Sequence, residues 1–307
     1  MIKVYFSLED DIINPCWDNV FKAIFTKDTP ESRGALSRFL SAVIGAELTV
    51  ISITANEPPV ADLRNKQIRY DISCKFTDGR LANIEMTISP DKCELVRIEY
   101  YGARLFSSQD MRGADKTYDN LSHTYQISVV VNDPLVDDNE IIHHFQYFDI
   151  EKNVSLNGRT HIITLELSKL KWLRGKSVKE MTTVERWASF LLYTADKSKR
   201  ELVNEILANE EGVAMAGSVL LTISKDEVER ARLESEYKYA ADLQSRMIGA
   251  KQEGERIGRQ EVELIGRQEG ELIGRREVAK RLKSLGLTPE QIANASELPV
   301  EEVKELN

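Results

Sequence analysis

Asp71 and Glu85 lie on either side of a segment whose turn residues can fold them together. Ile68 to Phe76 and Leu81 to Ile88 read as strands, and Thr77-Asp78-Gly79 between them is a hairpin signal. With a three-residue loop and Gly79 left-handed, Phe76 pairs with Arg80, and counting back sets Asp71 opposite Glu85. One face then collects Ile72, Cys74, Phe76, Ala82, Ile84 and Met86; the other collects Asp71, Ser73, Lys75, Asn83, Glu85 and Thr87. A two-residue loop would set Asp71 opposite Met86 and split the acids between faces. Two carboxylates side by side repel unless something cationic lies between them. Joined by the backbone carbonyl of Met86, they form an oxygen-rich cage that suits Mg²⁺ or Mn²⁺. A metal there can activate water and polarise a phosphate. The same spacing also suits a solvated face whose acids pair with Lys75 or Arg69.

Other elements must position this hairpin. Asp18 to Phe25 reads as a short helix with Val20, Phe21, Ile24 and Phe25 on one face. Thr29-Pro30-Glu31 starts a second helix, which Gly45 ends. Leu48 to Thr54 favours a strand. Asp91 to Met111 reads as a long helix, and Tyr125 to Val131 as a buried strand. His143 to Ile150 and His161 to Leu167 look like two more strands. From Val178 the pattern is helical, with Trp187, Phe190 and Leu191 as core.

Composition narrows the class. The 307 residues are 42% hydrophobic, enough for a large core, and 30% charged. The net charge of -9 argues against a chain that coats nucleic acid non-specifically, although a nuclease can hold phosphate through metal and a few local cations. Three cysteines (Cys16, Cys74, Cys93) without a CxxC pair point away from a disulfide framework and toward a reducing compartment. The four histidines lack zinc-site spacing. The first residues carry acids where a signal peptide has its apolar run, and no apolar stretch approaches the roughly 18 residues of a membrane span. A soluble cytoplasmic protein is expected.

Beyond about Ala240 an eight-residue unit repeats: IGRQEVEL, IGRQEGEL and IGRREVAK, from Ile257, Ile265 and Ile273. Six glycines between Gly249 and Gly274 disfavour a helix interior, and an eight-residue period gives no straight apolar seam. A solvated, partly frayed helix is expected, with assembly of copies through this tail as the alternative. Thr288-Pro289-Glu290-Gln291 is a capping box opening the first of two short terminal helices. Glu301, Glu302 and Glu305 in the last of them disfavour DNA contact and favour a packing or dimerising cap.

Several motifs recur in a fixed order: Asp18-x-x-Phe21-Lys22-x-Ile24-Phe25, Arg69-Tyr70-Asp71-Ile72, Asp78-Gly79-x-x-x-Asn83-Ile84-Glu85-Met86 and Arg97-x-x-Tyr100-Tyr101. Gly113, Tyr118 and Tyr125-Gln126-Ile127-Ser128-Val129-Val130-Val131 follow. In this order and at these gaps the chain resembles the Rpn (recombination-promoting nuclease) family, also described as PD-(D/E)XK nuclease family transposases. The likeness covers roughly Asn14 to Leu170, and the tail is similar as well. It implies an α/β fold: a restriction-endonuclease-like core with a mixed sheet flanked by helices, plus a helical C-terminal extension. The expected organisation is a nuclease-like core over 1–170, a helical subdomain over 171–240, a charged repeat over 241–280 and a helix-turn-helix-like cap over 281–307.

The resemblance implies a Mg²⁺-dependent DNA endonuclease linked to recombination or transposon biology, with DNA as its partner. It casts Asp71 and Glu85 as metal ligands and Met86 as a carbonyl ligand. Asp18 matches an acid of the opening helix, either near the metal or as a helix cap. Two residues after the second acid the family usually has Gln, where the wider superfamily has Lys; here that catalytic position is Thr87. Thr is shorter and uncharged, so the alternative is a weakened nuclease fold that binds DNA or protein without cutting. Lys75 on the same hairpin face is a candidate substitute. Arg97 and Tyr101 suit a phosphate contact and stacking, or equally a buried ion pair and core packing.

Overall fold

The computed structural model describes residues 3–53, 71–113, 116–156, 158–173 and 175–306. Ile68 to Tyr70 of the expected first hairpin strand, Arg69 among them, lie outside the described residues. Helix α1 spans Asp18–Thr26 and α2 spans Pro30–Ile44. The Thr29 side chain caps α2 by accepting from the Ser32 amide, Pro30 occupies the first turn, and Gly45 closes the helix in the left-handed region (φ 76°).

Six strands form one mixed sheet: β1 (Val50–Ile53), β2 (Ile72–Phe76), β3 (Leu81–Thr87), β4 (Thr124–Val130), β5 (Ile142–Phe145) and β8 (Thr160–Glu166). Their spatial order is β1-β2-β3-β4-β8-β5. The first three are antiparallel; β4 and β8 run parallel to β3, and β5 closes the far edge antiparallel. Parallel pairing of β3 with β4 requires a crossover, which α3 (Glu94–Ser107) supplies. The expected strand from His143 to Ile150 is instead two pieces. After Phe145 the chain leaves the β8 edge and folds back on itself. There β6 (Phe148–Asp149) pairs with β7 (Val154–Ser155), and Asn153 takes a positive φ in the turn.

The faces of the sheet differ in chemistry. On one, Ile72, Cys74, Phe76, Ala82, Ile84, Ile127 and Leu165 join the main core with Phe21, Phe25, Phe39 and Trp187. The rings interlock edge to face, with Phe21–Phe25 centroids 4.9 Å apart and Phe39–Trp187 5.3 Å. Helices α4 (Thr183–Tyr193), α5 (Arg200–Asn209) and α6 (Glu211–Lys225) complete this core, with Phe190 and Leu191 fully buried as expected. On the other face α3 covers a row of polar side chains. Gly102 faces the sheet at this contact, where a Cβ would stand in ordinary van der Waals contact, 3.5 Å from the Gln126 Cβ and 3.6 Å from Ile162.

The chain divides into two compact units, Met1–Tyr237 and Lys238–Asn307. The repeat belongs to α7 (Glu227–Ser284), which is unbroken where fraying was expected. Its six glycines face open space, and pairs such as Arg256–Glu253 and Arg267–Glu271 offset part of their cost. Gly286 (φ 83°) follows, and α8 (Pro289–Ser296) and α9 (Val300–Glu305) bury Ile292, Leu298 and Val303 against Ala279. The Thr288–Gln291 capping box is formed. Among the described residues no helix is long and apolar enough to cross a membrane.

The site depends on the β2–β3 turn. Phe76 and Arg80 pair, the Gly79 amide donates to the Phe76 carbonyl at 3.0 Å, and Gly79 holds φ 87°. Gly79→Val places a β-branched residue in the left-handed region and is expected to lower stability by about 1–2 kcal/mol in urea unfolding. An unchanged midpoint would show that the turn does not have this geometry.

Candidate active site

The observed register is the three-residue-loop register: Ile72 pairs with Ile84, Ser73 with Asn83, Cys74 with Ala82 and Lys75 with Leu81. Continued by one residue, it brings Asp71, at the mouth of β2, beside Glu85. Two contacts tie the pair across the ladder. The Asp71 amide donates to Glu85 Oε1 (3.2 Å), and the Met86 amide donates to Asp71 Oδ2 (2.9 Å). Peptide groups along a strand alternate in direction. The Thr87 carbonyl accepts from Val131 on the β4 side at 2.9 Å, so the Met86 carbonyl points to the β2 side of β3, the side on which Asp71 lies.

Helix α1 brings a second acid and a cation. Burial of Val20, Phe21, Ile24 and Phe25 fixes one face of the helix in the core and turns Asp18 and Lys22, one turn apart, toward the hairpin. Lys22 Nζ lies 2.8 Å from Asp18 Oδ2 and 2.9 Å from Asp71 Oδ1. Asp18 is therefore part of the acidic cluster. It does not cap α1, whose N-cap is Trp17. Its Oδ1 is buried with no hydrogen-bond partner among the described residues.

Helix α3 closes the other side. Glu94, almost fully buried, accepts from the Thr87 hydroxyl (3.1 Å) and from Arg97 Nη2 (2.7 Å). Arg97 Nη2 also donates to Thr87 Oγ1 (3.1 Å), and its guanidinium lies over the Tyr101 ring, 5.9 Å from the centroid. Behind Glu85, Asn83 Nδ2 donates to Glu85 Oε1 (3.1 Å) and to Gln126 Oε1 (2.7 Å). Ser128, level with Glu85 on β4, has a buried hydroxyl without a partner among the described residues.

Among the described residues, three acidic side chains, Asp18, Asp71 and Glu85, surround one ammonium, while Glu94 and Arg97 neutralise each other. Burial, reinforced by Asp71, pushes Glu85 up to about 8. The same two causes raise Asp18 to about 6, although its other side is open to solvent. Burial opposes the charge on Lys22, but Asp71 and Asp18 outweigh it and hold its pKa above the usual lysine value. Burial and the Glu85 charge raise Tyr101. Among the described residues the cluster holds more acid than base.

Among the described residues no three His, Cys, Asp or Glu side chains are arranged as a ready metal cage, and Lys22 stands between Asp18 and Asp71. A hard cation that keeps several waters needs only one or two carboxylates. Asp71 and Glu85, the Met86 carbonyl and the orphaned Asp18 oxygen match that demand in chemistry and in charge. Similarity to a known family decides what kind of domain this is: residues 15–250 match the model of the PD-(D/E)XK nuclease family transposases.

The chain belongs to the PD-(D/E)XK nuclease family. No curated protein and no solved structure matches it. Within this PD-(D/E)XK domain the structure gathers Asp18, Asp71, Glu85, Met86, Thr87, Arg97 and Tyr101 at one place. It does not gather Lys75. That side chain is exposed, and four residues of strand, about 13 Å, separate it from Asp71. Among the described residues the cation at the acids is Lys22, which the sequence offers only as one position of a motif, with no sign of its role. Glu94 is equally inconspicuous there: it is one of many acids at a helix start, and only its packing against Thr87 distinguishes it. Cys16 and Cys74 are buried, which pushes their thiols up to about 12, and neither reaches the site.

Thr87→Val keeps the shape and removes the hydroxyl shared by Glu94 and Arg97. It is expected to cost about 1–3 kcal/mol in urea unfolding, because a buried acceptor loses its donor. No loss would show that Thr87 stands outside this network.

Proposed function

We propose that this protein is a divalent-metal-dependent DNA endonuclease, using Mg²⁺ or Mn²⁺, that serves recombination or transposon biology. The supporting observation is the Asp71–Glu85 pair held side by side on a hairpin, with burial and the Asp71 charge raising Glu85. Asp71 and Glu85 would hold the cation through their carboxylates, and Met86 would add its carbonyl. When bound, the cation would supply an activated water and polarise the scissile phosphate. Asn83 holds Glu85 in place from behind. Arg97, fixed by Glu94 and with its side chain 43% exposed, can meet a phosphate oxygen while Tyr101 flanks it. By superfamily analogy the products are a 3′-hydroxyl and a 5′-phosphate. Three free cysteines agree with work in a reducing compartment such as the cytoplasm.

One observation favours a second reading. The Thr87 hydroxyl, at the position where a Lys or Gln would orient water, is engaged by Glu94 and Arg97. A protein that binds DNA or a partner without cutting would follow if no other group did that work.

Plasmid nicking separates the two. The parent protein with Mg²⁺ or Mn²⁺ is expected to nick supercoiled DNA, EDTA to abolish nicking, and Asp71→Ala to reduce it about 100-fold or more. DNA retention by the parent without nicking in either metal would favour the second reading.

A further inference from the structure

Phosphodiester cleavage needs a donor or cation, besides the metal, near the attacking water and the charge that develops on phosphate. Thr87 is poorly placed to serve. A hydroxyl has one proton to donate, and Thr87 donates its own to Glu94. Arg97 Nη2 is bound to Glu94 and Thr87, and the exposed remainder of its guanidinium is the part that can meet a phosphate oxygen, which leaves the attacking water in need of a donor. Lys75 is a long way down the strand. Lys22 stands at the acid itself. Its ammonium touches Asp71 directly, at 2.9 Å, and its side chain is 32% exposed, so a ligand can reach it. An ammonium has three N–H donors; two go to Asp18 and Asp71, and no further acceptor for it occurs among the described residues. Its helix is fixed by four buried apolar side chains, so the arm starts from a rigid base.

We propose that Lys22 is the positioning lysine of this site, delivered by α1 instead of β3, and that it also acts as the built-in counter-cation of Asp71 and Asp18. Without metal the ammonium holds the two acids together. Once Asp71 is shared with a divalent cation, Lys22 has less negative charge to balance and can turn donors toward water or a phosphate oxygen. The inference rests on the nuclease reading and adds to it a residue on another element. It makes two demands on one side chain: Lys22 must compete with metal, and it must assist cleavage. A purely structural ion pair would do neither in this combination.

The test measures both on the full chain. Mn²⁺ affinity is read by titration, and single-turnover plasmid nicking is read at saturating Mn²⁺, for the parent, Lys22→Met and Lys22→Arg. Lys22→Met is expected to bind Mn²⁺ several-fold more tightly and yet cleave about 100-fold more slowly. Lys22→Arg, which keeps the charge and the fold should Lys22→Met fail to fold, is expected to bind Mn²⁺ as the parent does and to recover part of the rate. Parent-like cleavage by Lys22→Met at saturating Mn²⁺, or weaker Mn²⁺ binding by it, overturns the inference and leaves the nuclease reading intact. Should Lys22→Met not fold, Lys22→Arg that cleaves no DNA while the parent does also overturns it. A parent that does not cleave at all sinks the nuclease reading and this inference together.

Discussion

Carboxylates packed together away from water repel each other, and a fold that nevertheless collects them must supply positive charge or borrow it. Asp18, Asp71 and Glu85 are in that position. One lysine stands between two of them, and the third, Glu85, is buried against Asn83 and raised well above an ordinary carboxyl. Such an arrangement costs stability in the metal-free protein. None of the three acids belongs to the apolar core cluster. Their arrangement is the one that the proposed hard-cation site would require.

The surrounding architecture follows from that need. The β2–β3 turn sets the register that puts Asp71 beside Glu85, and a shift of one residue would send one acid into the apolar core. Parallel pairing of β3 with β4 requires a crossover, and the crossover helix carries Glu94, Arg97 and Tyr101 over the polar face. The aromatic cluster of Phe21, Phe25, Phe39 and Trp187 fixes α1 against the sheet, and so aims Asp18 and Lys22 at the hairpin. Three segments distant in sequence thus meet at one place. Family membership alone would not establish the chemistry, because one fold hosts many activities; the side chains carry that argument.

Local chemistry was readable from the sequence wherever neighbours in the chain decide the outcome. Thr77-Asp78-Gly79 marked the turn, and of the two loop lengths the sequence left open the three-residue one is formed, with its pairing and its two hairpin faces. Thr29-Pro30 and Gly45 bounded α2, and Thr288 to Gln291 formed the expected capping box. Contacts between distant segments were harder to read. Lys22 and Lys75 are both lysines near acids in the sequence, and only the docking of α1 shows which one touches Asp71. Glu94 looks like an ordinary acid at a helix start until its partner Thr87 is seen. The break between β5 and β6 was hidden because an exposed ribbon and a sheet edge accept the same aromatic and β-branched residues. The unbroken α7 shows that exposed glycines weaken a helix without necessarily ending it.

The central claim is that Asp71 and Glu85 share one divalent cation. A crystal soaked in Mn²⁺ and measured at the manganese absorption edge tests it most directly. The account predicts a single anomalous peak within about 2–2.5 Å of a carboxylate oxygen from each residue, with Lys22 Nζ withdrawn from Asp71. A well-ordered hairpin with no peak between these two side chains, at Mn²⁺ concentrations that support cleavage, would contradict it.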